Sequence, residues 1–244
     1  MGRIMTIASR ELAAFIAAPL TSLLIIVFLL AAGALTFFAG DFFGLGGADL
    51  RAFFRFQPWL YLGLAPGLSM RLWAEERRSR TLDILLALPV RPSEAVIGKF
   101  LAAWCLAGLA LALTFPMWLT ANLLGRPDNG VILVGYGASW LMAGALLAIG
   151  EAVSAATRTA AVACLATAAI GFALVAPGSA SGLALVRRWA PARVVPDVAE
   201  ATFPGHFIAL TRGVIAVPDI VYFLSLTIAS LAATAIIVEL TKEG

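Results

Sequence analysis

Long apolar runs separated by short charged or turn-rich segments organise this chain, and their lengths predict helices that cross a bilayer. The first run, Leu20 to Ala39, has twenty residues, enough to cross a hydrocarbon core of about 30 Å at about 1.5 Å per residue. Arg3 and Arg10 precede it as they would in a signal peptide. However, a signal h-region is shorter, about 7–15 residues, so a retained helix is expected. The second run, 58–73, is the weakest, because it holds Pro66, Gly67 and Arg71. The third, 98–124, contains Pro116, which predicts a kink because proline removes a helical hydrogen bond and crowds the preceding turn. Two more runs, 131–156 and 159–176, are separated by little more than Arg158, so they should form a hairpin. The last is 220–238.

The expected fold is therefore all-α and integral to the membrane. It is a single domain over 1–244 with six transmembrane helices. An amphipathic interfacial helix should precede them. The region 74–97 should lie in the cytoplasm as a coupling helix between the second and third spans. The segment 177–219 mixes Arg187, Arg188, Asp197, Glu200, His206 and Arg212 with prolines. Its apolar stretches are too short to span, so it should form an extracytoplasmic loop with short interfacial or re-entrant helices.

Composition agrees. The 244 residues are 61% hydrophobic and only 13% charged, against about 25% charged in soluble domains. The net charge of +3 sits in short flanks rather than in a stripe with interleaved aromatics, which speaks against nucleic-acid binding. Ten of the 17 Lys and Arg residues fall on the side of the N-terminus and seven on the other. Both termini are therefore expected in the cytoplasm. Cys105 and Cys164 lie within apolar runs as small fillers, with no spacing that suggests zinc. His206, the only histidine, has no ligand set around it. No G-x-x-x-x-G-K-(S/T) is present, since Gly98-Lys99 lacks the upstream glycine and the following hydroxyl. The chain is thus expected to bind no nucleotide, metal or other cofactor itself.

The most informative stretch is Arg71 to Val90. It interleaves acids with bases at helical spacing, as in Glu76 and Arg80, and then restores an apolar face through Leu82, Ile84, Leu85 and Leu86. A pure topology signal needs only the bases. The mixture suggests a helix on the cytoplasmic surface that docks a soluble partner. Within the spans, Glu151 is the residue most in need of explanation, because an ionisable group there is costly and faces a partner or water. Two readings stand: a polar site in a dimer or transport path, or a residue near the interface that snorkels or pairs with Arg158, one heptad on. Arg71, at the end of the second span, is expected to snorkel. Small residues such as Gly135, Gly144 and Ala160 to Ala169 permit close helix packing, within the chain or between two copies.

The run Trp73-Ala-Glu-Glu-Arg-Arg-Ser-Arg-Thr-Leu-Asp-Ile-Leu-Leu-Ala-Leu-Pro-Val, with Gly98-Lys99-Phe100 after it, resembles the first cytoplasmic loop of type-2 ABC exporter permeases. Those proteins show E-E-(K/R)-x-x-x-T-x-(D/E)-x-L-L-x-x-P and then G-K. Arg10-Glu11-Leu12-Ala13-Ala14-Phe15 with Pro19 resembles their amphipathic N-terminal helix. Ala209 to Phe223 is similar to the entry to the last helix in the gliding-motility-associated branch. The resemblance implies an ATP-driven export permease of the bacterial inner membrane. ATP and Mg would be bound by a separate ABC ATPase subunit. It also implies a second permease copy and, in that branch, a large auxiliary membrane protein. Candidate ATPase-coupling residues are Glu75, Glu76, Arg77, Arg80, Asp83 and Arg158, with Arg10 and Glu11 at the interfacial helix. The rival readings are a structural or assembly factor of a membrane complex, and an intramembrane enzyme, for which the spans lack clustered catalytic groups.

Overall fold

The computed structural model describes residues 2–40, 42, 49–78, 91–189, 194–213 and 215–243, with the side chains of 77, 78, 180, 242 and 243 left aside. Arg80 and Asp83, and the apolar stretch Leu82 to Leu86, lie outside the described residues, as does the side chain of Arg77. Every regular element among the described residues is helical.

Helix α1 (Gly2–Ala17) ends because Ala18 stands before Pro19. A residue before proline is pushed to extended backbone, and Ala18 has φ −84° and ψ 121°. Pro19 then opens α2 (Pro19–Ala34), where its missing N–H costs nothing. A π-turn, Leu35–Ala39, extends α2. Helix α3 covers Arg51–Ser69, and a short α4 covers Ala74–Arg78. Helix α5 (Pro92–Ala112) is capped by the Glu94 carboxylate, which accepts from the Arg91 N–H. The expected break before Pro116 separates α5 from α6 (Phe115–Leu124). There the Thr114 hydroxyl donates to the Leu111 carbonyl at 2.6 Å and sits 3.1 Å from the Tyr136 hydroxyl.

Asp128 caps α7 (Asn129–Ala156) by accepting from Gly130 and Val131 N–H. Helix α8 (Ala160–Val175) packs back against α7 as the expected hairpin, and a 3-10 turn, Ala176–Gly178, follows it. Three short helices, α9 (Ala180–Trp189), α10 (Val195–Ala201) and α11 (Phe203–Thr211), lead to α12 (Val217–Glu243). Gly213, at φ 83°, makes the turn into α12.

Five helical segments are long and apolar enough to cross a membrane: Pro19–Ala39, Pro92–Leu124, Asn129–Ala156, Ala160–Gly178 and Val217–Thr241. They match five of the six expected runs. The second run differs. Its helix is α3, Arg51–Ser69 rather than 58–73, and it is not among the five. Arg51, Arg55 and Gln57 depress its hydropathy, yet its 19 residues give it spanning length, about 28 Å at about 1.5 Å each. It is also deeply enclosed. Phe53, Gln57, Tyr61, Leu68 and Ser69 are buried, and α3 packs against α2, α7 and α8. Arg71 and Trp73 belong to the turn after it.

Helix α7 is the hub, touching α3, α5, α8, α11 and α12. Its small residues serve packing within the chain. A Cβ on Gly135 would stand 2.5 Å from Cζ of Phe54 on α3, and one on Gly144 would stand 2.9 Å from the Trp104 indole nitrogen on α5. Trp104 and Trp140 stack at 4.2 Å, and each indole N–H donates to the other's carbonyl. Within 177–219, α11 buries Phe203, Phe207 and Leu210 and packs on α7 and α3.

Candidate coupling junction

Four helix ends meet where α3 gives way to α4. The turn Met70–Trp73 lies against the last turns of α7, and Ser154 joins the two. Its hydroxyl accepts the N–H of Trp73 at 3.2 Å and of Ala74 at 3.1 Å, and it donates to the Met70 carbonyl at 3.3 Å. A helix start leaves N–H groups without intrahelical partners. Here a serine 80 residues away in sequence satisfies the first of them, so the start of α4 is fixed to α7.

One turn earlier on α7, Glu151 is fully buried. Its Oε1 accepts the Trp73 indole N–H at 2.9 Å, and its Oε2 has no hydrogen-bond partner. The pairing with Arg158, one of the alternatives that a seven-residue spacing offers, does not form. Helix α7 stops at Ala156, and Thr157 is extended at φ −109° and ψ 157°. The helical register therefore ends before it reaches Arg158, which is exposed in the link to α8.

Lys99, near the start of α5, completes the junction. It is 1% exposed, and its Nζ lies 2.8 Å from Oε1 of Glu76 on α4 and 3.3 Å from Oε1 of Glu11 on α1. It also sits 5.3 Å above the Trp73 ring, within cation–π range. Glycine at 98 permits this approach, because a Cβ there would come within 2.7 Å of Ile7 Cγ2 on α1. Arg10 pairs with Glu11 at 2.8 Å, and Arg71 with Glu75 at 2.7 Å. Burial alone would push the Glu11 carboxyl up. The Lys99 ammonium and the Arg10 guanidinium outweigh it and hold Glu11 below its ordinary value. Glu11, Phe15, Arg71, Glu75, Glu76 and Lys99 line an open recess of about 180 Å³.

The sequence candidates thus take different places. Glu11 and Glu76 face inward on Lys99, Arg10 braces Glu11, and Arg71 pairs with Glu75 instead of reaching out alone. Glu75 and Arg158 are exposed. Lys99, Trp73 and Ser154 were not singled out individually, although they join the elements. Lys99 carries a detectable signal, a cation one residue past a glycine at the start of an apolar run. Ser154 carries none, since a serine in a helix ordinarily bonds its own backbone. The arrangement is suited to mechanics rather than to bond chemistry. Lys99, Arg10 and Arg71 each meet a carboxylate in a short contact, and the Lys99 ammonium is enclosed.

At the other end of the bundle, His206 Nδ1 lies 2.7 Å from the Asp219 carboxylate and its ring stacks on Tyr222 at 4.2 Å, joining α11 to α12.

The family profile described as ABC-2 family transporter protein matches residues 63–236, which runs from within α3 into α12 and includes the junction except for α1. No curated protein gives a significant match.

Proposed function

The chain belongs to the ABC-2 family of transporter proteins, and on that premise we propose that it is the permease half of an ATP-driven exporter whose ATPase is a separate subunit docking at the junction of α4. It is a multi-pass membrane protein with the helices of a transporter permease. On this reading α3, enclosed by its neighbours, is the sixth span, and both termini lie in the cytoplasm. The active unit pairs two permease copies with two ATPases. The resemblance of Ala209 to Phe223 favours the gliding-motility-associated branch, in which the α9–α11 segment would meet an auxiliary membrane protein.

One observation carries the proposal. The segment that resembles a coupling loop is tied to three helices at once, through Ser154 to α7 and through Glu76–Lys99 to α5 and, by Glu11, to α1. A push on α4 would then reach the spans without loss in a loose linker. Exposed Glu75 and Arg158 are the direct docking candidates, and Glu76 and Glu11 act as anchors behind them. Arg77, Arg80 and Asp83 complete the proposed contact surface.

The test is co-purification with the ABC ATPase encoded beside this chain, followed by ATP hydrolysis with wild type and with Glu75→Arg and Arg158→Glu. A stable complex whose stimulated hydrolysis drops about ten-fold in the variants, at unchanged thermal midpoint, supports docking here; such a drop corresponds to about 1.4 kcal/mol. If no ATPase co-purifies, the proposal fails and the assembly-factor reading replaces it.

A further inference from the structure

The end of the bundle opposite the junction gathers arginines from separate segments. Arg51 and Arg55 lie one turn apart on α3, and Arg212 follows α11. With Ile208 and Thr211 they line an open recess of about 510 Å³. Arg51 is offset by Asp49 at 3.2 Å, whereas among the described residues no carboxylate lies within ion-pair distance of Arg55 or Arg212. This differs from the junction, where the cations are matched by carboxylates. In the proposed orientation it also runs against the charge bias that keeps arginines on the cytoplasmic side. Convergence of unmatched guanidinium groups on one concavity favours an anion with several oxygens, because each planar fork can take two of them.

A second recess of about 280 Å³ shares Arg55 and Ile208 with the first. Its other walls are largely apolar and include Trp59 and Pro204. Trp59 is partly exposed and meets Phe172 of α8 edge-on. A charged concavity thus continues into an apolar groove at one guanidinium.

We propose that this pair of recesses is a binding site for an amphiphile with a net-anionic phosphate-monoester head, with the phosphate among Arg55, Arg212 and Arg51 and the chain along Trp59. The site lies far from the docking surface and does not depend on the ATPase reading. Basic recesses between membrane helices are suited to anionic head groups, and the adjoining groove separates an amphiphile from a free anion.

The test is equilibrium binding of a fluorescent short-chain phosphatidic acid to the full-length protein in maltoside micelles, with inorganic phosphate and the matching phosphatidylcholine as competitors. Saturable binding of one molecule per chain is expected, with phosphatidylcholine competing at least about ten-fold more weakly. Each guanidinium supplies charged hydrogen bonds to the head group, so Arg55→Gln and Arg212→Gln should each weaken binding about ten-fold or more. Arg188→Gln, on exposed α9, serves as a charge-matched control and should leave binding unchanged. Equal affinity for the two lipids, or unaltered binding in an Arg55→Gln/Arg212→Gln double variant that keeps its helicity, overturns the site. Inorganic phosphate competing as strongly as phosphatidic acid overturns the amphiphile assignment.

Discussion

Replacing Lys99 with methionine tests the junction most directly, because it removes the ammonium and keeps most of the side-chain volume over Trp73. Glu11 and Glu76 both reach the same nitrogen, at 3.3 and 2.8 Å, so their carboxylates lie within about 6 Å of each other. Without the cation they repel. At an effective dielectric constant of about 20, two unit charges about 6 Å apart cost about 3 kcal/mol. Breaking a fully buried ion pair costs about 3–5 kcal/mol. The two glutamates keep 16% and 19% of their side-chain surface in solvent, which lowers the expected cost to about 2–4 kcal/mol. In a chain of this size about 1 kcal/mol moves the midpoint by about 2–4 °C. The thermal midpoint of Lys99→Met in one fixed detergent should therefore fall by about 4–16 °C, read by helical circular dichroism. Adding Glu76→Gln removes one of the repelling charges and should recover at least half of that loss. The reasoning is refuted if Lys99→Met melts within about 2 °C of wild type, or if the double variant is no more stable than the single one.

Acid should weaken the same junction. Since Glu11 is held below its ordinary value of 4.5, the unfolded chain takes up its proton first as pH falls. The stabilisation is complete above that value and is lost as pH drops through the lower folded one, so the midpoint should decline as pH falls below about 4.5, and less steeply in Glu11→Gln. Ser154→Ala strips the acceptor from the Trp73 and Ala74 N–H groups and should cost about 2–4 kcal/mol. Restoration by Ser154→Thr would identify the hydroxyl rather than the volume as the cause, and a midpoint unchanged in Ser154→Ala would exclude the tie. Gly98→Val places a Cβ 2.7 Å from Ile7 Cγ2 and 3.2 Å from the Ile4 carbonyl, so α1 should move off α5. Hydrogen exchange across residues 2–17 should then accelerate at least about ten-fold, and unchanged protection would show that the contact can relax.

Sequence pattern found the uniformly apolar helices far better than the one that carries charge. The runs at 20–39 and 131–156 were legible because their length and apolarity are demanded by hydrocarbon itself. Helix α3 violates that demand with Arg51, Arg55 and Gln57, and it was displaced by seven residues at its start because enclosure by α2, α7 and α8 substitutes for apolarity. The same limit applies at the site. The acids and bases of 71–80 could be read as a helix surface, but Glu76 finds Lys99 on another helix. Glu151 was conspicuous as an ionisable group in a span, yet its partner could not be inferred from a heptad. A single extended residue, Thr157, cuts the register, and the indole it meets instead is 78 residues distant.

The position of Trp73 explains why the two ends of the bundle differ in their charge matching. It touches Lys99 with its face, Glu151 with its indole N–H and Ser154 with its backbone N–H. Any displacement of α4 must break these contacts or carry them along. Carrying them moves the end of α7, and α7 packs against α3, α5, α8, α11 and α12. A matched, enclosed cluster favours the second outcome, because separating its charges exposes each to the cost of burial without a partner. The far end has the reverse construction, since among the described residues no carboxylate lies within ion-pair distance of Arg55 or Arg212, and an anion bound to these two separates no existing pair. On the proposed function, α7 is the element through which a push at the matched end reaches the unmatched one. Ser154→Ala should therefore lower ATPase-driven transport by more than it lowers basal ATP hydrolysis in the assembled complex. An equal loss of both would place the defect in docking rather than in transmission.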